Sequence, residues 1–352
     1  MKQQAITGCI LGTAVGDALG LPYEGMSAKR TAKFFRRPAK HHLIMGKGMI
    51  SDDSEHACFV AQALIASLNN PDRFEKKLAW SLRWWFLGLP AGVGLATAKS
   101  IIKLWLGFPP RYSGVFSAGN GPAMRSPLLG VVFADDIEKI KTFVQRSTRI
   151  THTDPKAYFG ALTIALAAQQ STLDTETNPS KFLLLVTKTL ENEPSREYEH
   201  LLQTAVDSVH RGESLNQFVE LIDCKNGISG YIYHTVPCVI HCWLRHQQDF
   251  QNGLEELIAA GGDTDTTGAI FGAICGAGVG KAGIPEAWIS GIIDWPRSTS
   301  YMEKLAIQLN HSCTGNQSIK PPRYFTPAIL IRNLFFLCIV LLHGFRRLLP
   351  PY

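Results

Sequence analysis

The sequence predicts an all-α protein, and three observations support this. Long stretches repeat apolar residues at the three- and four-residue spacing of one helix face, whereas the alternating runs typical of strands are scarce. Glycines recur every four residues in two segments. With 45% hydrophobic and 18% charged residues among 352, the chain has the composition of a globular protein with a large core. Helical spacing is clearest in residues 56–68, 73–87, 136–148, 156–170, 181–191, 198–209 and 254–260.

Two of the predicted helices carry a stripe of glycines. Four-residue spacing keeps the members of each stripe on roughly one helix face. Because a glycine costs a helix interior about 1 kcal/mol relative to alanine, the stripes indicate that helix backbones pack closely there. Asp17, Asp263 and Asp265 lie in or beside the stripes and argue against membrane helices. The stripes are Gly8, Gly12, Gly16 and Gly20, and Gly268, Gly272, Gly276 and Gly280.

Two acidic clusters each stand at the start of a predicted helix. Residues 51–55 read Ser-Asp-Asp-Ser-Glu, and residues 261–266 read Gly-Gly-Asp-Thr-Asp-Thr. Helix capping explains either cluster taken singly, and Asp52 with Glu55 fits a capping box. Taken together they form an all-oxygen set without His or Cys, which suits Mg²⁺ or Mn²⁺ better than Zn²⁺. If the clusters converge, their carboxylates need cations to offset the repulsion, so we predict a two-metal site.

Two further segments offer groups that a substrate could contact. Glu24 follows the first glycine stripe, where a turn could aim it into a cleft; a lone glutamate in a turn is otherwise only solvated. Residues 117–125 read Ser-Ala-Gly-Asn-Gly-Pro-Ala-Met-Arg. Backbone N–H groups beside conformationally free glycines suit a pyrophosphate, although an ordinary turn is the alternative interpretation.

These motifs, followed by Thr151-His152, stand in the order found in the ADP-ribosylglycohydrolase family, which the chain resembles over roughly residues 5–310. Within that family it resembles the dinitrogenase-reductase-activating glycohydrolases. The resemblance implies an orthogonal helical bundle with two metal ions, Mg²⁺ or Mn²⁺, in a central cleft. It also implies a hydrolase that cleaves the glycosidic bond between ADP-ribose and a protein side chain or a related conjugate.

The resemblance also assigns roles to individual residues. Glu24 becomes the catalytic acid or base that helps to activate water. The implied metal ligands are Ser51, Asp52, Asp53, Asp263, Asp265 and Thr266, and the implied ADP-ribose contacts are Gly119, Asn120, Gly121 and His152.

Two other functions fit part of the sequence. A catalytically silent relative that binds ADP-ribose, or acts as an interaction protein, would be expected to lose metal ligands, and both acidic clusters and Glu24 are present. A magnesium phosphohydrolase would use the same ligands but explains the loop at 119–121 less well.

The residues at 91–94 bear on substrate specificity. Arginine-directed members of the family carry Asp-Ile-Gly where this chain has Ala-Gly-Val-Gly at 91–94, so a carboxylate expected near a leaving guanidine is absent.

Cysteine usage and charge bear on compartment and partners. The eight cysteines form no Cys-x-x-Cys pair, which predicts a reducing, cytoplasmic location. The formal charge of +6 is partly concentrated in residues 29–40 but comes with no nucleic-acid motif, so no nucleic-acid partner is expected.

One helical segment has a spacing that could suggest zinc, but an internal proline and apolar neighbours favour a packed core helix. The residues in question are His234, Cys238, His241 and Cys242.

The C-terminal region is predicted to be a linker and an apolar helix appended to a domain of residues 1–310. Residues around 311–327 have the Gly, Pro and Ser content of a linker. Residues 328–342 give an apolar stretch of fifteen positions that includes Arg332 and Asn333, short of the roughly 20 that span a bilayer. We expect a helix docked on the domain or on a partner, with an anchor in the membrane interface as the alternative.

Overall fold

In a computed structural model of the chain, the structure describes residues 2–173, 176–190, 196–315 and 320–346. Helices dominate these residues, and the predicted all-α class is confirmed. Each helix predicted from apolar spacing is present, with ends that differ by a few residues because prolines and capping groups decide where helices begin.

Helices follow one another from the beginning to the end of the described chain. The first nine are α1 (Lys2–Gly20), α2 (Ala28–Phe34), α3 (Asp52–Ser67), α4 (Pro71–Leu87), α5 (Leu95–Trp105), α6 (Pro110–Ser113), α7 (Gly121–Met124), α8 (Pro127–Val132) and α9 (Ile137–Arg149). The others are α10 (Pro155–Leu173), α11 (Pro179–Thr189), α12 (Arg196–His210), α13 (Leu215–Leu221), α14 (Ile232–Arg245), α15 (Phe250–Ala260), α16 (Thr264–Val279), α17 (Glu286–Ser290), α18 (Thr299–Gly315) and α19 (Pro327–Arg346).

The two glycine-striped helices, α1 and α16, pack against each other in the core in antiparallel directions. A Cβ added to Gly12 would lie 2.0 Å from the carbonyl oxygen of Gly272, and one added to Gly16 would lie 2.0 Å from that of Gly268. Only glycine allows two backbones to approach this closely. The predicted reason for the stripes is therefore confirmed. The close contact of α1 and α16 sets where the ends of both helices lie.

A short ribbon fixes the start of α16. Strand β1 (Met26–Ser27) pairs antiparallel with β2 (Gly261–Gly262), which leads into α16. Gly262 has a φ of +88°, and a Cβ there would lie 2.1 Å from the carbonyl oxygen of Ile228, so glycine is required where the segments meet. Because β1 follows the turn that carries Glu24, the ribbon brings Glu24 to the start of α16.

The C-terminal helix α19 is docked on the rest of the chain. Helix α18 continues to Gly315, past the predicted domain boundary, and α19 has 20 residues rather than the fifteen counted from apolar spacing. Both α19 and the segment Lys2–Tyr23 are long and apolar enough to cross a membrane by length and composition. The apolar window of Lys2–Tyr23 is 94% buried in the protein, as expected of a core helix, whereas that of α19 is only 33% buried.

Candidate active site

The starts of α3 and α16, the Glu24 turn and the loop before α7 meet around one cleft of about 670 Å³. Ser51 and Asp53 lie just behind its wall, where the Asp53 Oδ2 atom accepts hydrogen bonds from Thr266 Oγ1 at 3.2 Å and from Ser51 Oγ at 3.3 Å. The structure thus brings together the residues that the sequence analysis assigned to catalysis, metal binding and ADP-ribose binding. Those that line the cleft are Glu24, Asp52, Gly119, Asn120, Gly121, His152, Asp263, Asp265 and Thr266.

An acid on α1 holds the start of α3. The buried Asp17 carboxylate accepts hydrogen bonds from Ser51 N at 2.8 Å, from Ser54 N at 3.2 Å and from Ser54 Oγ at 2.5 Å. Burial raises the pKa of Asp17 to about 6, and these hydrogen bonds act in the opposite direction. Asp17 thus caps α3 from another helix and fixes the direction in which the acidic cluster enters the cleft.

The capping box predicted for Asp52 and Glu55 is wrong. Ser51 is the N-cap of α3, so Asp52 is the first helical residue and Glu55 is one position too far along to complete the motif. The Glu55 carboxylate instead accepts a hydrogen bond from Trp85 Nε1 at 2.6 Å and forms a buried ion pair with Arg297. Asp52 is left to line the cleft.

The carboxylates at the two helix starts are crowded enough to perturb one another. Burial raises the pKa of Asp53 well above its usual value, and the charge of Asp52 raises it further. Burial likewise raises the pKa of Asp265, followed by the charges of Glu24 and Asp263. Among the described residues, one buried oxygen of Asp53 and one of Asp265, Oδ1 in each case, has no hydrogen-bond partner. Orphaned, mutually repelling carboxylate oxygens fit the coordination of a hard divalent cation.

Asp263 starts α16 without capping it. Its side chain makes no capping hydrogen bond, and its Oδ2 atom accepts from Asn120 Nδ2 at 2.7 Å instead. The same amide nitrogen lies 3.0 Å from Thr235 Oγ1. Capping therefore does not account for this side chain. Asn120 links the second acidic cluster to the loop before α7.

The glycines of that loop serve a purpose other than the predicted one. Neither Gly119 nor Gly121 has a positive φ, and the Asn120 N–H already donates to Gly230 O at 3.0 Å. The glycines therefore do not serve a positive φ, while the assignment of Gly119, Asn120 and Gly121 as ADP-ribose contacts stays a prediction. A Cβ at Gly119 would lie 3.1 Å from His152 Nε2, and one at Gly121 would lie 3.3 Å from His152 Cε1. The glycines make room for the imidazole.

A chain of hydrogen bonds connects Arg125, Thr151 and His152. The Arg125 guanidinium donates to Thr151 Oγ1, so that hydroxyl is free to donate to His152 Nδ1, 2.8 Å away. Burial, and then the charge of Arg125, lowers the pKa of His152 to about 3, so the ring is neutral. Its one proton is then assigned to Nε2, the atom nearest Gly119. His152 offers the cleft an N–H donor.

Sequence reasoning missed one wall of the cleft, residues 226–230. Asn-Gly-Ile-Ser-Gly reads as an ordinary turn and carries no acid, so it gave no chemical signal. In the structure, a Cβ at Gly230 would lie 3.1 Å from Asp263 Oδ2, and one at Gly227, where φ is +120°, would lie 2.7 Å from Gly262 N. This turn is packed against the second acidic cluster.

A separate group of metal-ligand types lies outside the cleft. Cys242, His246 and Glu256 have ligand atoms within 4.8 Å of one another. Glu256 already pairs with Arg245 and with His246, at 2.7 Å in each case, and Cys242 Sγ donates to Gly253 O at 3.2 Å. These contacts satisfy the group without an ion. The expectation that the histidines and cysteines of α14 bind no zinc remains a prediction.

The chain is similar to known proteins over most of its length. A family model described as ADP-ribosylglycohydrolase matches residues 1–318. An uncharacterized protein of Archaeoglobus fulgidus is 30% identical over 87% of this chain and 96% of its own length. ADP-ribosylhydrolase ARH3 of Homo sapiens is 26% identical over 80% of this chain and 87% of its own length. The ADP-ribosyl-(dinitrogen reductase) glycohydrolase of Rhodospirillum rubrum is 25% identical, with coverages of 80% and 88%. A solved structure, an "ADP-ribosylglycohydrolase-related protein complex", shares the fold with a TM-score of 0.66, at 23% identity over 89% of this chain and 99% of that one.

Proposed function

The chain belongs to the ADP-ribosylglycohydrolase family, and from that premise we propose a two-metal hydrolase that cleaves the glycosidic bond between ADP-ribose and a protein side chain or a small conjugate. The family and its named relatives support an enzyme that hydrolyses ADP-ribose conjugates. The observation that carries the two-metal part is the pair of buried, unpartnered carboxylate oxygens on Asp53 and Asp265.

The residues that would hold the metal come from both helix starts. Because every donor is an oxygen, Mg²⁺ is the proposed ion, with Mn²⁺ as the alternative. When bound, such ions would fix and polarise the ribose beside the scissile anomeric carbon. The proposed ligands are Ser51, Asp52, Asp53, Asp263, Asp265 and Thr266.

Glu24 is proposed as the acid/base of hydrolysis. It lines the cleft, and its charge raises the pKa values of Asp52 and Asp265, so it lies close to both acidic clusters. In the proposed step, the Glu24 carboxylate takes a proton from the attacking water as the water oxygen bonds to the anomeric carbon. The bond to the leaving group breaks, and the leaving group keeps its electron pair and takes up a proton from Glu24 or from solvent. Carboxylates around the ribose would stabilise the positive charge that develops there.

The loop before α7 is proposed to hold the rest of ADP-ribose. Neutral His152 would donate its Nε2–H to a phosphate or ribose oxygen. Asn120 would keep that loop in register with Asp263. Because neutral His152 carries no positive charge, it would donate to a substrate oxygen without competing with the metal ions for the carboxylates of the acidic clusters.

The metal proposal is tested with Asp265→Asn. Removing one repelling charge should raise the thermal midpoint of the metal-free protein, and Mg²⁺ or Mn²⁺ should then bind at least about tenfold more weakly by calorimetry. Turnover should be lost. Asp223→Asn is the matched control, because that side chain is 91% exposed and lies outside the cleft. Unchanged metal affinity in folded Asp265→Asn would refute the assignment.

The catalytic proposal is tested with Glu24→Gln on arginine-, serine- and O-acetyl-linked ADP-ribose. Turnover should fall by about 10²-fold or more while ADP-ribose affinity is retained. Glu138→Gln, at an 80% exposed side chain, is the control. Full turnover by Glu24→Gln on every substrate would exclude this role. Wild-type protein that binds ADP-ribose but cleaves none of the substrates would support the alternative of a catalytically silent binding protein.

A cytoplasmic location is proposed from the thiols. All eight cysteines are unpaired in the structure, and six of them are buried. Free thiols are typical of proteins from reducing compartments.

A further inference from the structure

Helix α19 buries Arg332 and Asn333 together with four apolar residues against the protein, and it exposes apolar residues on its other side. Arg332 and Asn333 are buried: the Arg332 guanidinium donates to Asp294 Oδ2 at 2.6 Å and also to Ile50 O, and the Asn333 amide donates to Gly88 O at 2.7 Å. A surface helix usually turns polar residues to solvent, so the apolar outer side of α19 is unusual. These buried contacts fix which face of α19 points away from the body.

The outward face of α19 is apolar along its whole length. From 334 to 345 the sequence contains no Asp, Glu, Lys or Arg. The surface continues onto the end of α4, because Leu87 and Leu89, 52% and 59% exposed, flank the Gly88 that Asn333 binds. The exposed large apolar residues of α19 are Leu330, Ile331, Leu334, Phe335, Leu337, Leu341, Leu342 and Phe345. A continuous apolar surface of this length is uncommon on a protein with no partner.

Positive charge borders the C-terminal end of this face. The His343 Nε2 atom lies 2.7 Å from Leu43 O, which places the end of α19 beside the segment around residue 43. Exposed Lys40 and Lys47 lie within four residues of Leu43 in that segment, and exposed Arg346 ends the helix. At the tip of the same segment, Met45 is 98% exposed. An apolar face with a basic border and an exposed apolar tip suits binding to a surface that has an anionic outer layer and an apolar interior.

We propose that the outward face of α19 inserts into the interface of an anionic phospholipid bilayer, with the helix lying in the membrane plane. The in-plane orientation follows from the contacts with Asp294, Gly88 and Leu43, which hold α19 against the body along most of its length. A second copy of the chain fits this surface less well, because two-fold pairing of the same face would bring the basic borders together.

Docking of this kind would also bring the cleft near the bilayer. Leu89 belongs to the exposed apolar surface, Ala91 packs against a buried cluster that includes Phe336 and Ile339 of α19, and Gly92 and Gly94 line the cleft. The segment 88–95 is therefore shared between the lipid-facing surface and the rim of the cleft. ADP-ribose conjugates held at a membrane surface are the substrates that such an arrangement favours.

The test uses the full chain labelled at Cys338, the one exposed cysteine, with an environment-sensitive dye. Phosphatidylcholine vesicles containing phosphatidylserine should shift the dye emission to the blue and should sediment with the protein, whereas pure phosphatidylcholine vesicles should bind about tenfold more weakly. Raising the salt concentration should reduce the difference between the two vesicles.

Two variants separate the apolar and charged contributions. Leu334→Gln/Leu342→Gln should weaken vesicle binding at least about tenfold, and Leu184→Gln, at a 53% exposed leucine on α11, should not. Lys40→Glu/Lys47→Glu should remove the preference for phosphatidylserine. Circular dichroism should show each variant folded, since these side chains are exposed. Absence of vesicle binding by the wild-type chain would overturn the proposal, and so would a dimer in ultracentrifugation that Leu334→Gln/Leu342→Gln dissociates.

Discussion

The Asp17 carboxylate on α1 accepts a hydrogen bond from the Ser54 hydroxyl on α3 at 2.5 Å. It connects a buried helix of the core to the first acidic cluster of the cleft. Because Asp17 also accepts from Ser51 N, rotation of α3 about its own axis would break both contacts. The geometry of the proposed metal site is thus set partly by a residue that does not line the cleft.

Asp17→Asn is expected to damage the site without removing a proposed ligand. An amide cannot accept three hydrogen bonds from two residues in the same geometry, so the start of α3 should shift. We expect Mg²⁺ affinity and turnover to fall by about tenfold or more. Thr13→Val is the control, because Thr13 is also buried on α1 but its hydroxyl bonds only to Cys9 O at 2.8 Å. Calorimetric titration with Mg²⁺ that is equal for both variants would contradict the positioning role.

The glycine stripes predict a large and position-specific effect on stability. Gly12→Ala would place a Cβ 2.0 Å from the Gly272 carbonyl oxygen, and backbone atoms cannot move aside. We expect a loss of about 3 kcal/mol or more in the free energy of unfolding by urea. Gly315→Ala, at a helix end with nothing within 4 Å of the added Cβ, should leave stability unchanged or raise it slightly. Equal stability of the two variants would show that the helices can separate without cost.

The sequence predicts the fold better than the details of the cleft. Helical spacing and the glycine stripes are local patterns, so the all-α class and the close contact of α1 and α16 follow from them directly. The role of Asp17 does not follow, because its partners Ser51 and Ser54 are more than thirty residues away in the chain.

The loop at 119–121 shows the same limit. Glycine allows two explanations, conformational freedom or lack of volume, and no sequence pattern distinguishes them. The structure selects the second, because the His152 ring fills the space beside Gly119 and Gly121. The sequence predicts that the C-terminal helix docks on the domain or on a partner, but it does not predict the contact that fixes α19, since the buried Arg332 pairs with an Asp294 that no local pattern connects to it.

The neutral His152 predicts a flat pH dependence of substrate binding. Since burial lowers the pKa of His152 to about 3, the ring should not change charge between about pH 5 and 8, and KM should show no step near the usual histidine value. His152→Gln keeps an N–H donor and should raise KM less than His152→Phe does. A KM that rises through a transition near pH 6.5 in the wild type and is flat in His152→Gln would contradict the neutral state assigned to the ring.

Residues 91–94, Ala-Gly-Val-Gly, lack the carboxylate expected near a leaving guanidine, and this predicts which leaving groups the protein prefers. Gly92 lines the cleft, and a Cβ there would meet nothing within 4 Å, so an aspartate has room. Its φ of +78° disfavours any side chain, at a cost on the order of 1 kcal/mol that asparagine would share with aspartate. Gly92→Asn is therefore a control with the same shape and the same backbone strain but no charge.

Gly92→Asp should shift preference toward arginine conjugates, because a carboxylate stabilises a guanidinium leaving group and gives nothing to a serine or acetyl ester. We expect the ratio of kcat/KM for arginine-linked over serine-linked substrate to rise about tenfold in Gly92→Asp and to stay constant in Gly92→Asn. Gly94→Asp also has open space around the added Cβ, and its φ of −59° imposes no strain. If Gly94→Asp raises the ratio as much as Gly92→Asp, general charge in the cleft decides specificity rather than position 92. Equal ratios in Gly92→Asp and Gly92→Asn would show that the absent carboxylate does not set the preference.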